Sequence, residues 1–114
     1  MKIEVMDTGR KTYETEAEEF DAELIAEALN ERENRTVVIG NMIFDSSNIS
    51  RVRVMEPENA NLEVYTIDRK TVKVEMPDFD AVAVNNALND SEYRFIVLGG
   101  MVIDRGMVAR ILPL

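Results

Sequence analysis

Apolar and polar residues alternate at the start of the chain. Ile3 and Val5 stand between polar neighbours, a polar turn follows at Asp7-Thr8-Gly9-Arg10, and the alternation resumes at Tyr13 and Thr15. Residues 62–76 repeat this figure with Leu62 and Val64, a turn around Asp68-Arg69, then Val72, Val74 and Met76. Period-two alternation on both sides of a polar turn predicts a β-hairpin in each place.

The period then changes. Ile25, Ala28 and Leu29 recur at i, i+3 and i+4, as do Val84, Ala87 and Leu88, the spacing of one helix face. Asp21 and Asp80 stand where an N-cap acceptor belongs. Phe20 with Ile25, and Phe79 with Val84, have the spacing of a hydrophobic staple across that cap. Asn30 and Asn89 follow the last apolar residue and are expected to close each helix in the left-handed conformation. The remainder reads as β. Thr36–Ile39 and Met42–Phe44 flank Gly40-Asn41, while Phe95–Leu98 and Met101–Ile103 flank Gly99-Gly100, and each pair predicts a two-residue hairpin turn. A short irregular stretch, Asp45–Asn48, leads to a last strand over Ile49–Met55. Its counterpart is Val108–Leu114, where Pro113 argues for an edge or terminal position.

These parallels extend along the whole chain. A shift of 59 residues aligns Ile3–Met55 with Leu62–Leu114 without a gap, and 19 of the 53 positions are identical. Identical pairs include Arg10-Lys11-Thr12 with Arg69-Lys70-Thr71, Gly40 with Gly99, Asp45 with Asp104 and Arg51 with Arg110. The expected fold is therefore α+β, a tandem duplication of a ββα-ββ(β) module. The first repeat covers 1–55, a linker 56–61 and the second repeat 62–114. One such unit has a single helix and little core. Two copies are expected to pack with pseudo-twofold symmetry around one shared hydrophobic centre.

Composition narrows the chemistry. The 114 residues contain no Cys and no His, which removes disulfides, thiolate ligands, the usual general base near neutral pH and the Ser-His and Cys-His pairs. No catalytic residue, metal or cofactor is expected. No apolar run approaches the length of a membrane helix, and the N-terminal alternation lacks a signal-peptide core, so a cytoplasmic location is expected. The net charge of −9 disfavours nucleic acid and anionic membranes and favours a protein partner with a basic surface.

That charge is unevenly placed. Glu14 to Glu33 holds nine acids against the single base Arg32, whereas the matching stretch Lys73 to Glu92 holds five acids and one base. Glu23, Glu27 and Glu31 stand at i, i+4 and i+8 and are expected to form one stripe on the helix. Like charges at this spacing oppose the helix by a few tenths of a kcal/mol per pair. Their counterparts Val82, Asn86 and Asp90 do not repeat it, so the module folds without it. Glu16, Glu19, Glu23, Glu27 and Glu31 are thus the candidate partner-binding residues, beside the plainer reading of a solubilising face. The other candidates have plainer readings too. The two Arg-Lys-Thr runs suit an anion contact or a solvated turn, Asp45 and Asp104 a metal or a turn, and Arg51 and Arg110 an acid within the module.

The short acidic chain, the doubled ββα-type module and the absence of His and Cys resemble small proteins encoded by phages and mobile elements. Among these, the anti-CRISPR and anti-restriction proteins inhibit nucleic-acid-processing enzymes by occupying a basic groove. The resemblance implies a non-enzymatic inhibitor of a nucleic-acid-binding enzyme such as a CRISPR effector. Two other readings remain open. One is a small phage or plasmid assembly protein that self-associates through sheet edges, with Val82 and the final strand as interface. The other is a carboxylate-only metal enzyme using Asp45, Asp104 or the acidic stretch.

Overall fold

The computed structural model describes residues 1–114. The hairpins expected from period-two alternation form as β1 (Lys2–Asp7) with β2 (Thr12–Glu16), and β6 (Leu62–Thr66) with β7 (Thr71–Val74). Arg10 and Arg69 close the two turns in the left-handed region, at φ 67° and 66°. That conformation costs a non-glycine residue about 1 kcal/mol, and both Arg-Lys-Thr runs lie at these turns, with Thr12 and Thr71 opening β2 and β7. The helices are α1 (Ala22–Asn30) and α2 (Ala81–Leu88). Asp21 accepts from the Leu24 N–H, and Asp80 from the Val82 and Ala83 N–H groups, so both caps stand where the sequence places them. Phe20 and Ile25 pack against one apolar cluster, and Phe79 and Val84 belong to another.

The remaining elements are β3 (Thr36–Ile39), β4 (Met42–Asp45) and β5 (Ile49–Val54) in the first half. The second half has β8 (Phe95–Leu98), β9 (Met101–Asp104) and β10 (Val108–Pro113). Ile39 pairs with Met42 and Leu98 with Met101, which leaves two-residue turns with Gly40 and Gly99 at φ 62° and 58°. Glycine at the first central position is the type II′ pattern. At Gly99 a Cβ would also overlap the Glu75 carbonyl oxygen, so this turn lies directly against the chain leaving β7. Single 3-10 turns, Ser46–Asn48 and Arg105–Met107, precede β5 and β10.

The molecule is α+β, with two helices and ten strands in three sheets. The largest sheet has the order β2-β1-β5-β9-β8, the second β10-β6-β7, and β3-β4 stands apart. Pro113 lies on an edge strand, as its missing N–H requires. All sheet pairings are antiparallel.

Three expectations need correction. The sheet topology is not twofold. The β8-β9 hairpin pairs with β5 through Arg51↔Ile103, Val52↔Val102 and Arg53↔Met101, whereas the β3-β4 hairpin pairs with no third strand. There are also two hydrophobic clusters rather than one centre. Ile3, Val5, Ala26, Leu29, Val37, Ile39, Ile49 and Val52 form the first, joined by Phe95 and Val102. Leu62, Val64, Val72, Val74 and Val84 form the second, with Ile96, Leu98, Met101 and Ile103. Period two explains the arrangement: β8-β9 sends one face into each cluster. Finally, neither helix ends left-handed. Asn30 is still helical, Glu31 after it is extended, and Asn89 is right-handed. The Asn30 side chain is bound to the edge of β8 instead. Its Nδ2 donates to the Phe95 carbonyl at 3.0 Å, and the Phe95 N–H donates to its Oδ1 at 2.8 Å.

No helix is long and apolar enough to cross a membrane.

Candidate functional site: an acidic groove between the two halves

The start of α1, the segment 53–59 that joins the halves, the end of β7 and the β8-β9 turn meet around a groove of about 1120 Å³. The β8-β9 hairpin extends the first sheet while keeping one face in the second cluster. That pairing brings Gly99-Gly100 and the Glu75 backbone up against the first half. Eight carboxylates line the groove: Glu18, Glu19, Asp21 and Glu23 from the first half, Glu56 and Glu58 from the joining segment, and Glu75 and Asp78 from the second. The cations beside them are Lys2, Arg53, Lys73 and the amino terminus of Met1. Two of these are already engaged, Arg53 by Glu4 at 3.0 Å and the amino terminus by Glu16 at 3.5 Å. None of the eight carboxylates has an ion-pair partner. Val54, Met55, Met76, Val97 and Met101 are among its apolar lining.

Of the five expected partner-binding residues, two line this groove and three do not. Glu19 and Glu23 line the groove. Glu27 is exposed one turn further along α1. Glu31 is the C-cap of α1, its N–H still donating to the Glu27 carbonyl at 3.0 Å, and its Oε1 accepts from the Glu33 N–H. The backbone leaves the helix at Glu31, at ψ 109°. Glu16, at the end of β2, is taken by the amino terminus. The groove carboxylates that the local pattern leaves out are Glu18, Asp21, Glu56, Glu58, Glu75 and Asp78. Glu18 and Asp21 lie within the acid-rich stretch 14–33, and Glu56 and Glu58 flank Pro57 in a stretch of linker composition, whereas nothing local marks Glu75 and Asp78.

The other polar candidates have structural partners. Asp45 caps the first 3-10 turn, accepting from the Ser47 N–H at 2.9 Å and the Ser47 hydroxyl at 2.6 Å. That hydroxyl, with the backbone bond, holds the Asp45 carboxyl below the usual carboxylate range. Asp104 accepts from the Gly106 N–H at 2.9 Å and from Arg94 Nε at 2.8 Å. Arg51 reaches the Glu4 carboxylate at 3.2 Å, whereas Arg110 lies over the Tyr65 ring at 4.1 Å. No group of three or more carboxylates is placed to hold a metal ion.

Comparison with protein-family models, with curated proteins and with solved structures gives no match.

Proposed function

We propose that this chain is a non-enzymatic binding protein whose acidic groove receives a basic surface of another protein. The observation that carries this reading is that eight acidic residues, contributed by both halves and their joining segment, line one groove with no ion-pair partner among them. Like charges brought together without neutralisation oppose folding, and a cationic partner would relieve that repulsion. The apolar residues of the lining would let such a partner bury side-chain stems beside its charges. A basic surface that ordinarily holds nucleic acid suits the groove. This is the mode of the anti-CRISPR and anti-restriction proteins that the chain resembles in size and charge, and we read it as a mobile-element-encoded inhibitor of that kind.

The reading takes the two halves as copies of one ββα-ββ(β) module. The gapless 59-residue register supports this, as does the same order of elements in each half. The groove then belongs to the pair and not to the module.

The test uses a Lys/Arg-rich peptide as probe, titrated by calorimetry into the full chain. Affinity should fall as salt rises. Glu19→Lys/Glu23→Lys should weaken binding roughly tenfold or more. The charge-matched Glu27→Lys/Glu31→Lys, outside the groove, should weaken it far less. Equal losses from the two pairs would reduce the effect to bulk charge and remove the groove from the argument.

A further inference from the structure

The first half completes its largest sheet with a hairpin borrowed from the second half, and the reciprocal pairing is not made. β9 occupies the outer edge of β5. Under the 59-residue shift, β10 corresponds to β5, and β4 to β9. The outer edge of β10 and the outer edge of β4 are both unpaired. We infer that these two edges join between copies of this chain, β4 of one docking on β10 of the next.

The observed contact supplies the register. Arg51↔Ile103, Val52↔Val102 and Arg53↔Met101 translate to Arg110↔Phe44, Ile111↔Ile43 and Leu112↔Met42. Side chains support the same pairing. Phe95, Val97 and Val102 are the face of β8-β9 that enters the first cluster, and their counterparts are Thr36, Val38 and Ile43. Val38 is 67% exposed and Ile43 71%, the most exposed large apolar residues of the first hairpin, and Leu112 on β10 is 44% exposed. Neighbouring apolar side chains on one unpaired hairpin face form a surface that a soluble monomer gains nothing from keeping. The polar clamp repeats as well. Asn30 binds the Phe95 backbone through both side-chain atoms, while its counterpart Asn89 is exposed at the end of α2, opposite no strand. In the docked pair Asn89 meets the Thr36 backbone.

The seat in the second half is more polar than its model. Asn85 replaces Ala26 and Thr36 replaces Phe95, and Pro113 cannot repeat the bond that the Val54 N–H donates to Gly100. The association is therefore reversible. It joins two different surfaces, so it closes into a ring, smallest as a pair of chains, or extends into a filament. No residue lining the acidic groove lies on β3, β4 or β10, so assembly leaves the groove open.

Sedimentation of the full chain tests this over a concentration series reaching roughly 1 mM, the weak end of specific association. Mass should rise above the monomer with concentration. Val38→Lys/Ile43→Lys on the hairpin and Asn89→Ala/Leu112→Lys at the other edge change exposed residues, and circular dichroism should show both variants folded. Each alone should remain monomeric. An equimolar mixture of the two should recover a dimer, because one intact hairpin still meets one intact edge. A wild-type chain that stays monomeric throughout would overturn the inference, as would association that neither variant weakens or variants that fail to complement. These outcomes are independent of peptide binding in the groove.

Discussion

Glu4 lies at 8% exposure between two guanidinium groups, accepting from Arg51 Nη2 at 3.2 Å and Arg53 Nε at 3.0 Å through the same oxygen. Burial alone would raise its pKa, but the hydrogen bonds and charges of Arg53 and Arg51 outweigh it, and the carboxyl sits below its ordinary value of 4.5. A depressed folded-state pKa gives stabilisation that is complete above the unfolded value and is lost as pH falls through the folded one. The two arginines are not equivalent. Arg51 is only 4% exposed, and its Nε and Nη1 have no hydrogen-bond partner, whereas Arg53 is partly solvated. Glu4→Gln leaves a buried cation without its counter-charge, a loss of about 3–5 kcal/mol. Arg51→Met removes two unpaired donors and leaves Glu4 bonded to Arg53, so it should cost less than about 1.5 kcal/mol. Urea denaturation at pH 7 should rank the variants in that order. The gap between wild type and Glu4→Gln should narrow as pH falls below 4.5, because the unfolded wild-type chain takes up a proton there while the folded carboxylate, with its lowered pKa, is still ionised.

At the scale of elements, the hairpins, helices and N-caps were legible because each depends on local spacing, and the second half of the sequence shows the same spacing again. Asp21, Asp80, Gly40 and Gly99 behave as their positions dictate. What local spacing does not carry is the partner of an edge. Val37-Val38-Ile39 and Ile96-Val97-Leu98 are equally apolar, yet the second run is covered on both faces and the first on one. Within the β3 and β8 strands the difference in polarity shows only at Thr36, where the second half has Phe95. The same limit applies to the site. The excess of acids in 14–33 was legible, but the groove takes half of its carboxylates from the joining segment and the second half, which tertiary contact alone brings near. Asn30 illustrates the point. It reads as a helix terminator and instead serves as a clamp on a strand 65 residues away. Truncating it leaves the N–H and C=O of buried Phe95 unsatisfied, so Asn30→Ala should cost about 2 kcal/mol. Asn89→Ala should change the isolated chain by less than about 0.5 kcal/mol. Urea midpoints at low protein concentration distinguish the two.

For the whole molecule, the consequence of one shared hairpin is that the halves are not independent. The β8-β9 hairpin belongs by sequence to the second half, yet Phe95 and Val102 are buried in the first cluster, at 2% and 0% exposure. Each such side chain contributes about 1.5–3 kcal/mol on burial. A domain of this size has only about 5–15 kcal/mol in total, and a 60-residue half has less to spend. Residues 1–60 alone would lose this cover together with the β9 edge that completes the sheet. Residues 61–114 alone would keep the second cluster but expose Phe95, Val97 and Val102 along one face. The two segments produced separately should therefore give weak, non-cooperative thermal transitions by circular dichroism. Mixed in equal amounts they should recover a single sharp transition, since the contacts between them are a strand ladder, a two-bond asparagine clamp and a buried apolar face. If 1–60 melted cooperatively alone with the stability of the intact chain, the burial of Phe95 and Val102 would contribute nothing, and the first cluster would close without the second half.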